Sequence, residues 1–247
     1  MFYFLFYYIY YFTLVPLFIL LIYPFYKVYI FDYGKFLIDS LKIKNTITIE
    51  NQSTGSIMEI NVDDRQHFIK KGFVIANHRS FTDFVIDPYI ARCAYVCRGL
   101  AFLIVLFMNI FFYLEVGSVT INRTRDTRKS IFAKMLKYER VLFFPEGTRL
   151  RYFYLNSPED VKKYLRYGIL KEIYYHRNLP VQLQISSNKE YVIDEKRMKI
   201  NKGIYVRTHI SGPIYPDKYQ TEQEFYDSIA QKWYHSWKIV NSELQCF

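Results

Sequence analysis

Charge is missing from the start of the chain: no Asp, Glu, Lys, Arg or His falls between Phe2 and Tyr26. That run is long enough for one apolar helix to cross a bilayer. A cleaved signal peptide fits it poorly, since no basic residue precedes it and Tyr23-Pro24-Phe25-Tyr26 is too bulky for a small-x-small site. Tyrosines at 3, 7, 8, 10 and 11 favour the interface over the membrane centre, and Pro16 and Pro24 bend a helix. A helix or hairpin embedded in one leaflet therefore competes with a full span. Lys27, Lys35, Lys42 and Lys44 follow, and by the positive-inside tendency they put the rest of the chain on the cytoplasmic side. The expected organisation is a membrane-anchoring segment over residues 1–30 and one domain over 31–247.

Cysteine is scarce too. Cys93, Cys97 and Cys246 are odd in number and lack the spacing of a disulfide framework or a zinc site. Cys93 and Cys97, four apart, read as packing residues of a reducing compartment, and on a helix if one forms there. Only 9 of 247 residues are glycine, whereas Tyr and Phe number 25 and 22, a bias that an AT-rich coding sequence produces. The formal charge of +10 is then modest evidence for anionic partners, and it does not choose among nucleic acid, lipid headgroups and coenzyme A. There is no internal repeat, linker or second domain, and the length suits one sizeable core with a short appendage.

What is present centres on Ala76-Asn77-His78-Arg79-Ser80-Phe81-Thr82-Asp83, directly after the apolar run Phe73-Val74-Ile75. On a continuous helix, five positions would turn His78 and Asp83 roughly 140° apart. They meet only if a strand ends near Asn77 and a helix begins near Ser80. A histidine held that way serves as a general base, its tautomer fixed by the carboxylate. The competing reading makes Ser80 to Asp83 a capping box. A second stretch runs from the buried-strand pattern Val141-Leu142-Phe143-Phe144 into Pro145-Glu146-Gly147-Thr148-Arg149. A turn that offers a glycine, a hydroxyl and a planar guanidinium suits a phosphate.

Together these two stretches resemble the first and third blocks of the glycerolipid acyltransferases, the family of lysophosphatidic acid acyltransferase. Gly117-Ser118-Val119-Thr120-Ile121-Asn122-Arg123 is similar to the second block, with Thr120 where an aromatic is usual. Leu179-Pro180-Val181-Gln182-Leu183-Gln184-Ile185-Ser186 is similar to the fourth, and Arg166 with Gly168 matches the basic-x-glycine ahead of it. The likeness spans residues 73 to 214. It implies transfer of an acyl chain from acyl-CoA, or acyl carrier protein, to a hydroxyl of lysophosphatidic acid or a related lysophospholipid. It implies His78 as base, Asp83 as its orienter, and Arg123, Glu146, Gly147, Thr148 and Arg149 on the acceptor's phosphate. Acyl-CoA enters as a co-substrate; no cofactor, metal, nucleic-acid partner or covalent acyl-enzyme is implied. Glycerol 3-phosphate is the alternative acceptor, and a basic, membrane-tethered protein that binds anionic lipid or nucleic acid is the alternative outside enzymes. If the source is eukaryotic, the endoplasmic reticulum is the expected membrane. Arg98 stands near a position where the family often has lysine.

Elsewhere, alternation predicts two strands and a turn between Ile43 and Asp64, a strand over 181–186 and another over 204–210. Leu100 to Leu114 is expected to be a buried or interfacial helix. Helices are expected after Asp83, over 130–138, from Ser157-Pro158 through the stripe Val161, Leu165, Ile169 and Ile173, and from the capping box Thr221/Glu224. Lys189 to Lys202 reads as an exposed excursion, and Arg125, Arg128 and Lys129 as a solvated face. His67, His176, His209 and His235 read as structural or exposed. The fold class is α/β, a mixed sheet flanked by helices as in glycerol-3-phosphate acyltransferase-like domains.

Overall fold

The computed structural model describes residues 2–22, 30–51, 54–62, 68–98, 117–122, 124–150 and 154–242. In chain order the helices are α1 (Phe2–Ile9), which runs through a π-helical turn (Tyr10–Leu14) into α2 (Val15–Ile22), then α3 (Ile30–Ser40), α4 (Asp83–Ala91), α5 (Arg128–Met135), α6 (Pro158–Tyr164), α7 (Tyr167–His176), α8 (Lys189–Val192) and α9 (Glu222–Asn241). The strands are β1 (Lys44–Glu50), β2 (Ile57–Ile60), β3 (Gly72–Ala76), β4 (Ala94–Arg98), β5 (Ser118–Ile121), β6 (Arg140–Phe143), β7 (Val181–Ser186), β8 (Ile193–Asp194), β9 (Lys199–Ile200) and β10 (Tyr205–Ile210).

Strand alternation divides the core in two. Phe73 and Ile75 of β3 join Val141, Phe143, Leu183, Leu170 and Trp233 on one side of the sheet. Val74 and Ala76 point the other way, with Leu142, Ile86, Leu37 and Val206. Strands buried on both faces lose the polar alternation of a half-exposed sheet and become continuous apolar runs, which is how β3 and β6 read. Eight strands pair in the order β2-β1-β10-β7-β3-β6-β4-β5. β7, β3, β6, β4 and β5 are mutually parallel, and β10 pairs antiparallel with β7. The α/β class with a mixed, helix-flanked sheet thus stands.

The helix ends follow local chemistry. Thr127, Ser157 and Thr221 each accept a first-turn N–H, and Glu224 completes the capping box of α9. The buried face of α9 holds Phe225, Ile229, Trp233, Trp237 and Val240. Helix α4 runs through Pro88 and stops at Arg92, which takes a left-handed conformation.

Four expectations need correction. The stripe from Val161 to Ile173 is not one helix: Leu165 and Arg166 are extended, and the Arg166 N–H donates to the Pro145 carbonyl at 2.9 Å, so the chain breaks to serve the loop after β6. Lys189 to Lys202 is not an exposed excursion, because α8 and the β8–β9 hairpin bury Lys189, Val192, Ile193 and Asp194. Cys93 and Cys97 stand before and within β4 rather than on a helix; both are buried and neither is in a disulfide. Among the described residues, no helix is long and apolar enough to cross a membrane. Helices α1 and α2 have eight residues each, with the π turn Tyr10–Leu14 between them. One face of the run docks on the domain: Tyr8 packs on Phe81 with ring centroids 5.5 Å apart, and Tyr11 is buried against Phe36. The segment 100–114, Arg123 and His67 lie outside the described residues.

A candidate active site at the carboxyl ends of the sheet

β3 and β6 are neighbours, so the loops leaving their carboxyl ends meet, and open α/β sheets place their ligand sites there. Asn77 shapes the first loop. Its side chain donates to the Ser186 carbonyl at 2.8 Å and accepts the Ser186 N–H at 2.9 Å, continuing the β3–β7 pairing by one residue. The chain then turns, and Asp83, the first residue of α4, reaches back. Its Oδ2 accepts from His78 Nδ1 at 2.8 Å, from the Ser80 N–H at 2.9 Å and from the Arg79 N–H. This is the strand-to-helix corner that the His–Asp spacing requires. Of the capping-box alternative one half is present, the Ser80 N–H on the Asp83 carboxylate, but Ser80 Oγ accepts the Thr82 N–H at 3.1 Å rather than that of Asp83, and the carboxylate also holds His78.

The imidazole has little freedom. It stacks on Phe144, with centroids 4.4 Å apart and planes at 20°, and meets the edge of Phe84 at 5.3 Å. With Nδ1 committed to Asp83, Nε2 is the nitrogen left for a hydroxyl in the cavity that His78 lines. Burial lowers the His78 pKa, the Asp83 hydrogen bond opposes this, and Lys189 and Arg149 add to the lowering, so the ring is neutral at neutral pH. Burial would raise the pKa of Asp83, but Lys189 and the His78 ring outweigh it, and the carboxyl lies below its ordinary range.

Glu146 does not line the cavity. It is 3% exposed, accepts the main-chain N–H of His78 and lies 3.6 Å from Arg79. The residue expected on a phosphate is therefore a brace for the histidine loop, where its acceptor oxygens meet donors instead of another anion. Burial pushes its pKa up to about 7 against the pull of Arg79. Thr148 and Arg149 are exposed and line the cavity, and Arg149 pairs with Glu195, whose Oε1 also accepts the Phe81 N–H at 3.0 Å.

The cavity measures about 610 Å³. Its lining combines the apolar Val96, Ile121, Ile131, Met135 and Ile169 with the cationic Arg98, Arg128, Arg149 and Arg166 and one acid, Asp126. Two glycines seat three of these guanidinium side chains. Gly147 has φ +66°, and a Cβ there would stand 2.8 Å from Arg166 Nε, while its carbonyl accepts from Arg98 at 2.8 Å. A Cβ on Gly168 would stand 3.2 Å from Arg128. Gly147→Ala is expected to cost about 1–2 kcal/mol for the left-handed backbone alone. That is a fall in Tm of about 2–4 °C for each kcal/mol in a chain of this size, readable by thermal melting; an unchanged Tm would contradict the strain.

Sequence reasoning missed Lys189, Asp87, Arg79 and Glu195. Asp87 had a usable signal: it lies four residues after Asp83 and so on the same helix face. Lys189 had none. His209 is buried, takes a 3.0 Å hydrogen bond with Thr48 and has its pKa pushed down to about 4 by burial, whereas His176 and His235 are exposed. All three stand apart from the cavity lining.

A family profile described as Acyltransferase matches residues 59–167, which contain both loops of the site. The chain carries an acyltransferase domain. Its fold is similar to that of the 1-acyl-sn-glycerophosphate (LPA) acyltransferase PlsC from Thermotoga maritima. The likeness has a TM-score of 0.63 at 18% identity and covers 88% of this chain and 79% of that one. No curated protein matches the sequence. Of the acyltransferase domain's expected phosphate ligands, Gly147, Thr148 and Arg149 line the cavity, Glu146 sits behind His78, and Arg123 lies outside the described residues.

Proposed function

We propose that this domain transfers a fatty acyl chain from the thioester of acyl-CoA to the free hydroxyl of lysophosphatidic acid or a related lysophospholipid, in phospholipid synthesis or remodelling. The observation that carries the reading is the His78–Asp83 pair, 2.8 Å apart, on a cavity whose lining holds both apolar side chains and four arginines. An acyl chain and a phosphate need those two surroundings at once. His78 Nε2 takes the acceptor's hydroxyl proton as the oxygen attacks the thioester carbonyl. Collapse of the tetrahedral intermediate breaks the C–S bond, and the imidazolium returns the proton to the leaving thiolate. Thr148 and Arg149 hold the acceptor phosphate, with Arg98 and Arg166 beside them. Arg123, one residue past the described end of β5 and Asn122, is assigned the same role from the second block.

The test is a panel assay in detergent or mixed vesicles, pairing several acyl-CoAs with lysophosphatidic acid, larger-headgroup lysophospholipids and glycerol 3-phosphate. Acylation of a lysophospholipid is the expected result. Preference for glycerol 3-phosphate would move the acceptor assignment, and binding of anionic lipid or nucleic acid without any transfer would replace the enzyme reading.

Residues 1–30 serve as a membrane anchor in this proposal, with the domain on the cytoplasmic side. Tyr3, Leu5, Phe6, Leu14, Phe18 and Leu21 are 50–82% exposed along the outer face of α1 and α2. An apolar surface of that kind without charge marks a contact with membrane or protein. The intact protein is expected to stay with membranes through a high-salt wash and to need detergent for release. Attraction by its basic surface alone is screened over about 10 Å at 0.1 M salt. Quantitative recovery in the salt wash would contradict an apolar anchor.

A further inference from the structure

Lys189 opens α8 with its side chain fully buried. Its ammonium stands between two carboxylates one turn apart on α4, at 2.6 Å from Asp87 Oδ2 and 3.3 Å from Asp83 Oδ1. Its third partner is the Asn77 carbonyl, at 2.9 Å. One cation therefore joins the residue before the histidine to the acid behind it. A buried ammonium is costly unless paired, and Asp87 is its closest partner. The contact with Asp83 is different in kind: Oδ2 of that carboxylate holds the His78 ring, and Oδ1 faces the lysine.

We propose that Lys189 is a positioning residue for acyl transfer: it fixes Asp83 against His78 from behind and keeps the His78–Asp83 pair in its working protonation state. The proposal rests on the reading of His78 as the base. The working state is a neutral imidazole against an ionised carboxylate. Other charges also face the pair: Arg79 from the same loop, Asp87 from α4, Arg149 and the main-chain brace Glu146 from the loop after β6, and Glu190 from α8. Lys189 is the nearest cation to Asp83 among these and the foremost influence holding its proton off. Removing it favours adding a proton to the pair, whichever member takes that proton.

The experiment compares the full-length wild type with Lys189→Met and with the double variant Lys189→Met/Asp87→Asn in detergent. The single change leaves Asp87 buried without its ammonium and is expected to lower Tm. The double change removes both charges and is expected to recover much of that loss. A structural role ends there, with activity following stability. A positioning role predicts that the folded double variant keeps a kcat about 10- to 100-fold down, the scale of one lost charge-assisted contact. KM for both substrates should stay near wild type, and the acid limb of kcat/KM should move to higher pH. A double variant with wild-type kcat and an unmoved acid limb overturns the proposal. The His78 ring is also titrated by ¹⁵N NMR without substrate. Its midpoint is expected to rise in the double variant, and an unmoved midpoint overturns the coupling. If the wild type transfers no acyl group from the panel, the enzyme reading has failed, while the ring titration still decides whether Lys189 controls the histidine.

Discussion

His78→Ala is expected to abolish acyl transfer in a protein that remains folded, and Asp83→Asn to reduce it severely. The imidazole contributes no buried bond that the fold needs beyond Asp83, whose carboxylate keeps the Arg79 and Ser80 N–H groups when the ring is gone. General-base assistance is worth about 10²–10⁴ in rate, which sets the smallest loss to expect from the alanine variant. The asparagine variant keeps a side chain of the same shape but loses the charge that fixes the tautomer and stabilises the imidazolium. Steady-state kinetics on both variants, with circular dichroism to confirm folding, would check this. The pH dependence has a definite sign. Transfer needs neutral His78, so kcat/KM falls as pH drops through the ring's pKa. Burial, with Lys189 and Arg149, holds that pKa below its ordinary value of 6.5. The acid limb is therefore expected below pH 6.5, and a limb above it would mean that another group titrates.

Arg149→Lys is expected to raise the KM for the phosphorylated acceptor about 10- to 150-fold, the range for one charge-assisted contact. The KM for acyl-CoA should change little and kcat less than the acceptor KM. Lysine keeps the charge and can still meet Glu195, but it loses the planar fork that grips two phosphate oxygens. Raising KM with kcat nearly kept is the pattern of lost uniform binding. A raised acyl-CoA KM with the acceptor KM unchanged would assign the loop to the coenzyme's phosphates, and the two substrates would exchange places in the cavity.

Much of the site could be read from the sequence because its key pair is local. His78 and Asp83 are five residues apart, and only a strand-to-helix corner lets them meet, so spacing stated the geometry a pair would require, while the choice of the pair over a capping box came from the second loop and the family resemblance. The loop after β6 was legible as a cavity loop for the same reason: turn chemistry at Pro145, Gly147 and Arg149 follows a buried strand. Its acid was misassigned because the partner of Glu146 is set by sheet order, and nothing in residues 140–149 says that β6 lies beside β3. Lys189 was invisible for a stronger version of that reason. A charged stretch reads as solvated, and the two carboxylates that allow this lysine to be buried come from more than 100 residues earlier. The division of 158–176 into two helices was hidden too, since the Arg166 N–H turns toward a carbonyl of a different loop. At the N-terminus, composition gave the apolar character correctly but not the docking of Tyr8 and Tyr11 on the domain.

The most direct test counts new ester and free CoA thiol in one reaction mixture, for the wild type and His78→Ala side by side, with and without lysophosphatidic acid. Direct transfer with His78 as base predicts one thiol for each new ester in the wild type, neither product without the acceptor, and neither with the alanine variant. Thiol released at full rate in the absence of acceptor, or ester formed at the wild-type rate without His78, would contradict it.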